Sequence, residues 1–318
     1  MDLPSLECPG TLGCMAEIWD CIVVGGGAAG LSAGLVLGRA RRKTLLIDAG
    51  EQSNLPATGI GGLLGHDGRP PAELYGIGRR ELASYGVQIR SGEVIDISRV
   101  DEDFVVRSAD GADERARRVL LATGMAYLPP ELPGLAPLWG RSVFHCPFCH
   151  GWEVSGQPLA LLARGEKAVH LALLLRCWSD DIVLLADGSA DLDDAGRARL
   201  AGAGVRVDER PVAALDAADG DLSAVVFADG SRLPRRGLLV ATGMRQRDRL
   251  AERLGVDITG PGPVAEDPVG VDPLCRTSVS GVFAAGDLTG EMPQVAVAIA
   301  AGARAAAAVV QSLALGDV

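Results

Sequence analysis

Hydrophobic and polar positions run through two similar cycles along the chain. The first opens with Cys21-Ile22-Val23-Val24, an unbroken apolar run of the kind found in strands buried on both faces. A glycine-rich turn follows, Gly25-Gly26-Gly27-Ala28-Ala29-Gly30, then a helical run over residues 31–37 and a second strand that ends at Asp48. The other cycle lies within residues 158–185 and reads strand (Leu159–Leu162), tight turn, helix (168–175), strand (Ile182–Leu185). Each cycle later reaches an apolar run ending in Ala-Thr-Gly, at 119–124 and again at 238–243. Two copies of one plan predict an α/β protein with two Rossmann-like dinucleotide-binding domains. Joints are expected near Pro133-Gly134 and across residues 244–247. Beyond the second joint, a Pro/Gly-rich stretch (259–273), a strand (281–285) and a long Ala-rich helix complete no domain of their own. They are expected to rejoin the first domain. Residues 18–133 and 247–318 would then form one domain, with 134–246 inserted into it, and residues 1–17 a disordered tail with Met15 as an alternative start to Met1.

Composition narrows the function classes. Hydrophobic residues make up 48% and charged residues 22% of the 318, the balance of a soluble globular protein. The 42 glycines follow no Gly-X-Y period, which leaves tight turns and close ligand approach as their use. With 30 basic and 41 acidic residues the net charge is −11, which argues against nucleic acid and anionic membrane surfaces as partners. The N-terminus lacks the basic start and apolar core of a secretory signal, and a cytoplasmic location is expected. The apolar stretch 295–315 is mostly alanine and carries Arg304 near its middle, so it reads as a buried helix rather than a membrane span. Seven cysteines, five of them scattered, do not form a secreted disulfide framework.

Three segments carry candidate chemistry. In the first turn Gly25 allows the sharp bend, Gly27 lets backbone approach a pyrophosphate, and Gly30 lets helix and strand pack closely. Asp48, 18 residues after Gly30, sits where a ribose hydroxyl can be accepted. Near the C-terminus, Val282-Phe283-Ala284-Ala285-Gly286-Asp287 puts a carboxylate at a strand end, suited to a hydroxyl-rich chain or to capping the next helix. The third segment is Cys146-Pro147-Phe148-Cys149-His150. Two thiols at this spacing can close a disulfide and exchange it with an incoming dithiol. A helix beginning at Cys146 would lower its pKa. Zinc would need two further ligands, and Cys177 and Cys275 are single and distant. His150 and His145 flank the pair, each either a proton carrier or a structural residue.

Gly25–Gly30, Asp48, Ala122-Thr123-Gly124, residues 277–287 and the Cys-x-x-Cys together resemble the flavoprotein disulfide reductases, and in order and length their low-molecular-weight thioredoxin reductase branch. The resemblance implies FAD on the first domain, held at Gly25, Gly27, Gly30, Asp48, Ala122 and Gly124, with Asp287 near the ribitol. Gln294 falls where the family presents a helix N-terminus to the flavin. It implies a homodimer, with Cys149 facing the flavin and Cys146 as the interchange thiol. Thioredoxin reductases usually have Asp after the second cysteine. His150 here is similar to the pattern of the small-molecule dithiol oxidases that close the disulfides of gliotoxin, holomycin and romidepsin.

The second nucleotide turn departs from that family. It reads Ala163-Arg164-Gly165-Glu166-Lys167-Ala168, and the strand after it is followed by Asp187 and Asp191 rather than by an arginine motif for a 2′-phosphate. NADPH is thus disfavoured, while NADH at Asp187 stays open. Electrons are then expected to enter from a dithiol through Cys146 and Cys149, pass to FAD, and leave to oxygen or a nicotinamide. The alternatives are a reductase of a protein disulfide such as thioredoxin and a flavin-binding redox sensor. The glycine loop 59–68 with His66, and Trp139 and Trp152 on either side of the cysteines, are candidates for the substrate face.

Overall fold

The computed structural model describes residues 18–316; the expectations for residues 1–17 lie outside them. The first apolar run forms strand Trp19–Val24, which pairs in parallel with Thr44–Asp48 on one side and Asp113–Leu121 on the other. Gln88–Ser91 extends the sheet in parallel beyond Thr44–Asp48. Asp113–Leu121 serves two partners in succession. Its first half pairs antiparallel with Asp103–Ser108, itself hairpinned to Val94–Val100. Its second half pairs in parallel with Val282–Ala284, so the C-terminal part of the chain does return to the first sheet.

Helices cover the parallel part of this sheet. Ala28–Arg39 packs against Val295–Leu315 at very short range: a Cβ on Gly302 would lie 2.1 Å from the Ala29 carbonyl oxygen. Ala301, Ala305, Ala306 and Val309 are buried in the same contact layer. The alanine content of the long helix therefore serves close helix packing, and a single larger residue at Gly302 would force the two helices apart. The helix is long and apolar enough to cross a membrane by length and composition, yet it carries this buried face.

The second sheet runs Arg206–Asp208, Ile182–Leu185, Leu159–Leu162, Gly237–Val240, Val143–Phe144, all parallel. Every residue of Ile182–Leu185 is buried, as its apolar run predicts; each such side chain contributes about 1.5–3 kcal/mol. A separate antiparallel sheet, Val212–Ala218, Asp221–Phe227 and Arg232–Pro234, packs alongside. The helix expected at 168–175 begins earlier, at Gly165, whose φ of +65° makes the turn.

The chain crosses between the two units twice, and the crossings pair with each other. Met125–Tyr127 runs antiparallel to Met244–Gln246. Ser53 ties both: its hydroxyl donates to the Met125 carbonyl at 2.7 Å and accepts from Arg247 Nη2 at 2.7 Å. Leu135, just past Pro133-Gly134, is already in the second core.

Candidate active site

One cavity of about 780 Å³ starts at the first glycine turn and ends at the cysteine pair. At the turn, the protein's own backbone leaves no room for a Cβ at two of the glycines. A Cβ on Gly25, where φ is +107°, would lie 2.3 Å from the Ala122 carbonyl oxygen, and one on Gly30 would lie 1.9 Å from the Gly25 carbonyl oxygen. Gly27 differs. A Cβ there would meet only Gln52 Cγ, at an ordinary 3.6 Å. Packing does not demand this glycine, and it borders the cavity. The bare backbone there leaves room for a ligand's phosphates at the N-terminus of helix Ala28–Arg39.

Asp48 is nearly buried at the end of its strand. Its Oδ1 accepts from the amides of Gly26 (3.1 Å) and Gly50 (3.0 Å) and from Gln52 Nε2 (2.9 Å), while Arg79 Nη2 lies 2.6 Å from Oδ2. The carboxylate is thus fixed with an acceptor site left on Oδ2. Gly124, with φ of +67°, continues the wall, and Ala122 N–H donates to the Val24 carbonyl. Asp287 faces the same cavity from the returning strand, and burial pushes its pKa up to about 6 despite the opposing effect of Arg247. A half-buried carboxyl of this kind suits hydroxyl donors. Gln294 is the N-cap of Val295–Leu315, so that helix directs its unpaired amides into the cavity. Turn, ribose acceptor, second carboxyl and helix end together fit FAD.

Cys146 caps the one-turn helix Pro147–His150, and its sulfur lies 2.8 Å from that of Cys149. Cys149, not Cys146, lines the cavity. The Cys146 pKa falls to about 7, chiefly because the Cys149 S–H points at it, helped by the amides of Cys149 and Phe148 against the effect of burial. The stabilisation expected from a helix dipole therefore comes from a partner thiol and one turn of amides. Cys149 is shifted the opposite way, held protonated by its bond to Cys146 and by burial. The pair is thus polarised into one thiolate and one thiol.

The two histidines have separate surroundings. His150 places Nε2 3.1 Å from the Gly140 carbonyl oxygen and stacks on Phe144, with ring centroids 5.6 Å apart. A carbonyl only accepts, so Nε2 carries the proton. Nδ1 is buried and makes no hydrogen bond of ordinary geometry, and burial lowers the ring's pKa against the opposing effects of the Gly140 backbone, Glu153 and the Cys146 backbone. His145 packs at a tilt against Tyr127 (ring centroids 4.0 Å apart) and stacks on Trp139 (5.7 Å). Burial, and then His150, lower its pKa to about 4. Its place is the aromatic wall of the cavity. His66 is occupied in its own loop, where its Nδ1 accepts from Arg69 Nε at 3.0 Å. Trp139 lines the cavity, whereas Trp152 is exposed.

The second turn is closed by its own side chain. Arg164 Nε donates to the Ala186 carbonyl at 2.6 Å, its Nη2 donates to the Asp187 carbonyl, and it pairs with Asp187 Oδ2 at 3.6 Å. The other Asp187 oxygen accepts from the Val212 amide at 2.7 Å. The carboxylate left open as a receiver of an NADH ribose is therefore engaged on both oxygens.

Sequence reading missed Arg79, Tyr127, Gly140 and Arg164. Each acts across a distance that no local pattern encodes. Only Arg164 gave a signal, being a cation where a dinucleotide turn wants a small residue.

A polarised cysteine pair at the wall of a cleft that begins in a dinucleotide turn defines an FAD-dependent thiol–disulfide oxidoreductase of the thioredoxin reductase-like type. The chain belongs to the pyridine nucleotide-disulphide oxidoreductase family, whose sequence profile matches residues 19–302. It is 32% identical to the thioredoxin reductase sirT of Leptosphaeria maculans over 318 aligned residues, covering 92% of this chain and 94% of that one. The crystal structure of HlmI is similar with a TM-score of 0.88 at 38% identity, covering 93% of both chains. An oxidoreductase from Agrobacterium tumefaciens is similar with a TM-score of 0.88 at 35% identity, covering 95% of this chain and all of that one.

Proposed function

We propose that this enzyme is a dithiol oxidase, closing an intramolecular disulfide in a small molecule. The observation that carries the reading is Arg164, which occupies the second dinucleotide turn and takes up Asp187. A nicotinamide-fed reductase needs that turn open; an oxidase takes its electrons from the dithiol.

The chain's own residues perform the exchange. With Cys146 and Cys149 joined as a disulfide, a substrate thiolate attacks the Cys146 sulfur, the Cys146–Cys149 bond breaks, and Cys149 leaves with the electron pair and takes up a proton. His150 Nδ1, the buried base beside the motif, removes the proton of the second substrate thiol. That thiolate attacks the substrate sulfur of the mixed disulfide and releases Cys146. A low-pKa thiol leaves faster, so the lowered pKa of Cys146 favours this second step. Two electrons have moved from substrate to the cysteine pair. FAD bound in the cavity would supply the two-electron acceptor for that pair, with oxygen as final acceptor. Gly25, Gly27, Gly30 and Asp48 would hold its adenine-nucleotide half, and Asp287 and the helix end at Gln294 the other.

A second reading, reduction of a protein disulfide, draws on the names of the relatives, which are thioredoxin reductases. The same Cys146 thiolate would serve there as the attacking group. Oxygen uptake driven by a dithiol should vanish in Cys146→Ser and Cys149→Ser variants that keep their FAD. Dithiol turnover by either variant would sink the proposal.

A further inference from the structure

The charged side chains that line the cavity are unevenly matched. Asp48, Glu51, Glu93, Asp248 and Asp287 are carboxylates, and among the described residues Arg247 is the one cation. FAD brings further negative charge on its diphosphate. In a partly enclosed cleft that charge is repelled by the carboxylates unless a cation or aligned amides meet it.

Arg247 follows directly on the second crossing strand, Met244–Gln246. Its Nη2 donates to the Ser53 hydroxyl at 2.7 Å, and its Nη1 lies 3.9 Å from Glu51 Oε2. The Glu51 side chain is 79% exposed, so this long ion pair takes up little of the guanidinium's charge. Among the described residues no other hydrogen bond engages Arg247, and most of its N–H groups are left for a ligand.

The neighbours of Ser53 fix where the cation stands. A Cβ on Gly27 would meet Gln52 Cγ at 3.6 Å, so Gln52 is the side chain nearest the bare backbone where phosphates have room. Gln52 also donates to Asp48 Oδ1. Ser53 is the next residue in the chain, and its hydroxyl holds Arg247. On the other side, Arg247 acts on Asp287 and opposes the effect of burial there. The cation therefore stands between Asp48, which would hold the adenine-nucleotide half of FAD, and Asp287, which would hold the other half. The diphosphate is the group that joins those halves.

We propose that Arg247 is a cofactor-binding residue whose guanidinium pairs with the diphosphate of FAD, together with the amides at the N-terminus of helix Ala28–Arg39. A guanidinium suits the task because it offers paired donors to phosphate oxygens. Ser53 also bonds the Met125 carbonyl in the first crossing, so the loaded cofactor ties both crossings to the first unit. The proposal is independent of the direction of electron flow, since an oxidase and a reductase of this family both carry FAD.

The full chain stripped of FAD tests it, titrated with FAD and with ADP, which keeps the diphosphate and lacks the flavin. Arg247→Met weakens both by roughly ten- to a hundredfold, the loss expected for a charge-assisted hydrogen bond. Arg247→Lys, which keeps the charge, recovers most of that loss for both. Added NaCl weakens FAD binding more steeply in the wild type than in Arg247→Met, because the pair is screened. Loss of FAD affinity with ADP affinity unchanged would place Arg247 on the flavin half and overturn the proposal. So would unchanged affinity for both in Arg247→Met. A loss for both that Arg247→Lys does not recover, with the salt dependence unaltered, would make the residue a structural tie only and overturn it as well.

Discussion

Gly61 and Cys149 meet backbone to backbone. A Cβ on Gly61 would lie 2.7 Å from the Cys149 carbonyl oxygen, so the loop after Asp48 sets the depth at which the redox turn sits in the cleft. Gly61→Ala forces one of the two segments to move by several tenths of an ångström. The expected result is a dithiol turnover lower by roughly tenfold or more with FAD content unchanged, since small misplacements of reacting groups are costly in rate. Steady-state kinetics beside a flavin absorbance ratio checks this, and an unchanged kcat would show that the contact does not position Cys149.

The polarised pair predicts a pH dependence. In the reduced enzyme, alkylation of Cys146 by iodoacetamide should rise with a midpoint near its pKa of about 7, well below the ordinary 9.0. In Cys149→Ala the S–H donor is gone, burial is unopposed by it, and the midpoint should move upward. Mass-spectrometric alkylation rates across pH 5–10 provide the readout. A midpoint that stays in place would assign the shift to the helix amides instead.

How far the sequence could be read depended on distance along the chain. The Gly25–Gly30 turn, Asp48 and the Cys146–Cys149 pair were legible because their chemistry is local: a strand, a turn, and residues at fixed offsets. The return of Val282–Ala284 to the first sheet followed from a leftover strand and helix that had to go somewhere. The role of His145 was not legible, because its partners Tyr127 and Trp139 arrive from other segments and its depressed pKa is a product of burial. Arg164 was read as part of a damaged turn. That it reaches the end of the neighbouring strand depends on a side-chain path no motif describes.

Arg164 carries the next prediction. Wild-type protein should show no saturable NADH or NADPH binding below about millimolar concentrations. Arg164→Ala frees Asp187 Oδ2 and should allow weak binding of NADH, with NADPH weaker because a carboxylate faces its 2′-phosphate. Calorimetric titration of both nucleotides distinguishes these outcomes. Tight NADPH binding by the wild type would show that the side chain is no obstacle.

Asp287 trades stability for binding. Its folded-state pKa of about 6 lies above the ordinary 3.8, because burial disfavours the charged form. A raised carboxyl pKa destabilises the fold as pH rises: the penalty is absent below about pH 4, grows between the two values, and is constant above about pH 6 at no more than roughly 3 kcal/mol. Deflavinated Asp287→Asn should therefore melt higher than deflavinated wild type at pH 7, and equally at pH 4, while binding FAD more weakly. Thermal melts at the two pH values, with an FAD titration, check it; a variant less stable at pH 7 would contradict the burial argument.

The most direct test of the direction of electron flow is anaerobic stopped-flow absorbance of the yellow protein mixed separately with a dithiol, NADH and NADPH. Rapid bleaching of the flavin by the dithiol alone is expected, then recovery of colour with release of hydrogen peroxide on admission of air. Rapid bleaching by NADPH, with none by the dithiol, would contradict the dithiol oxidase reading and make the enzyme a nicotinamide-fed reductase.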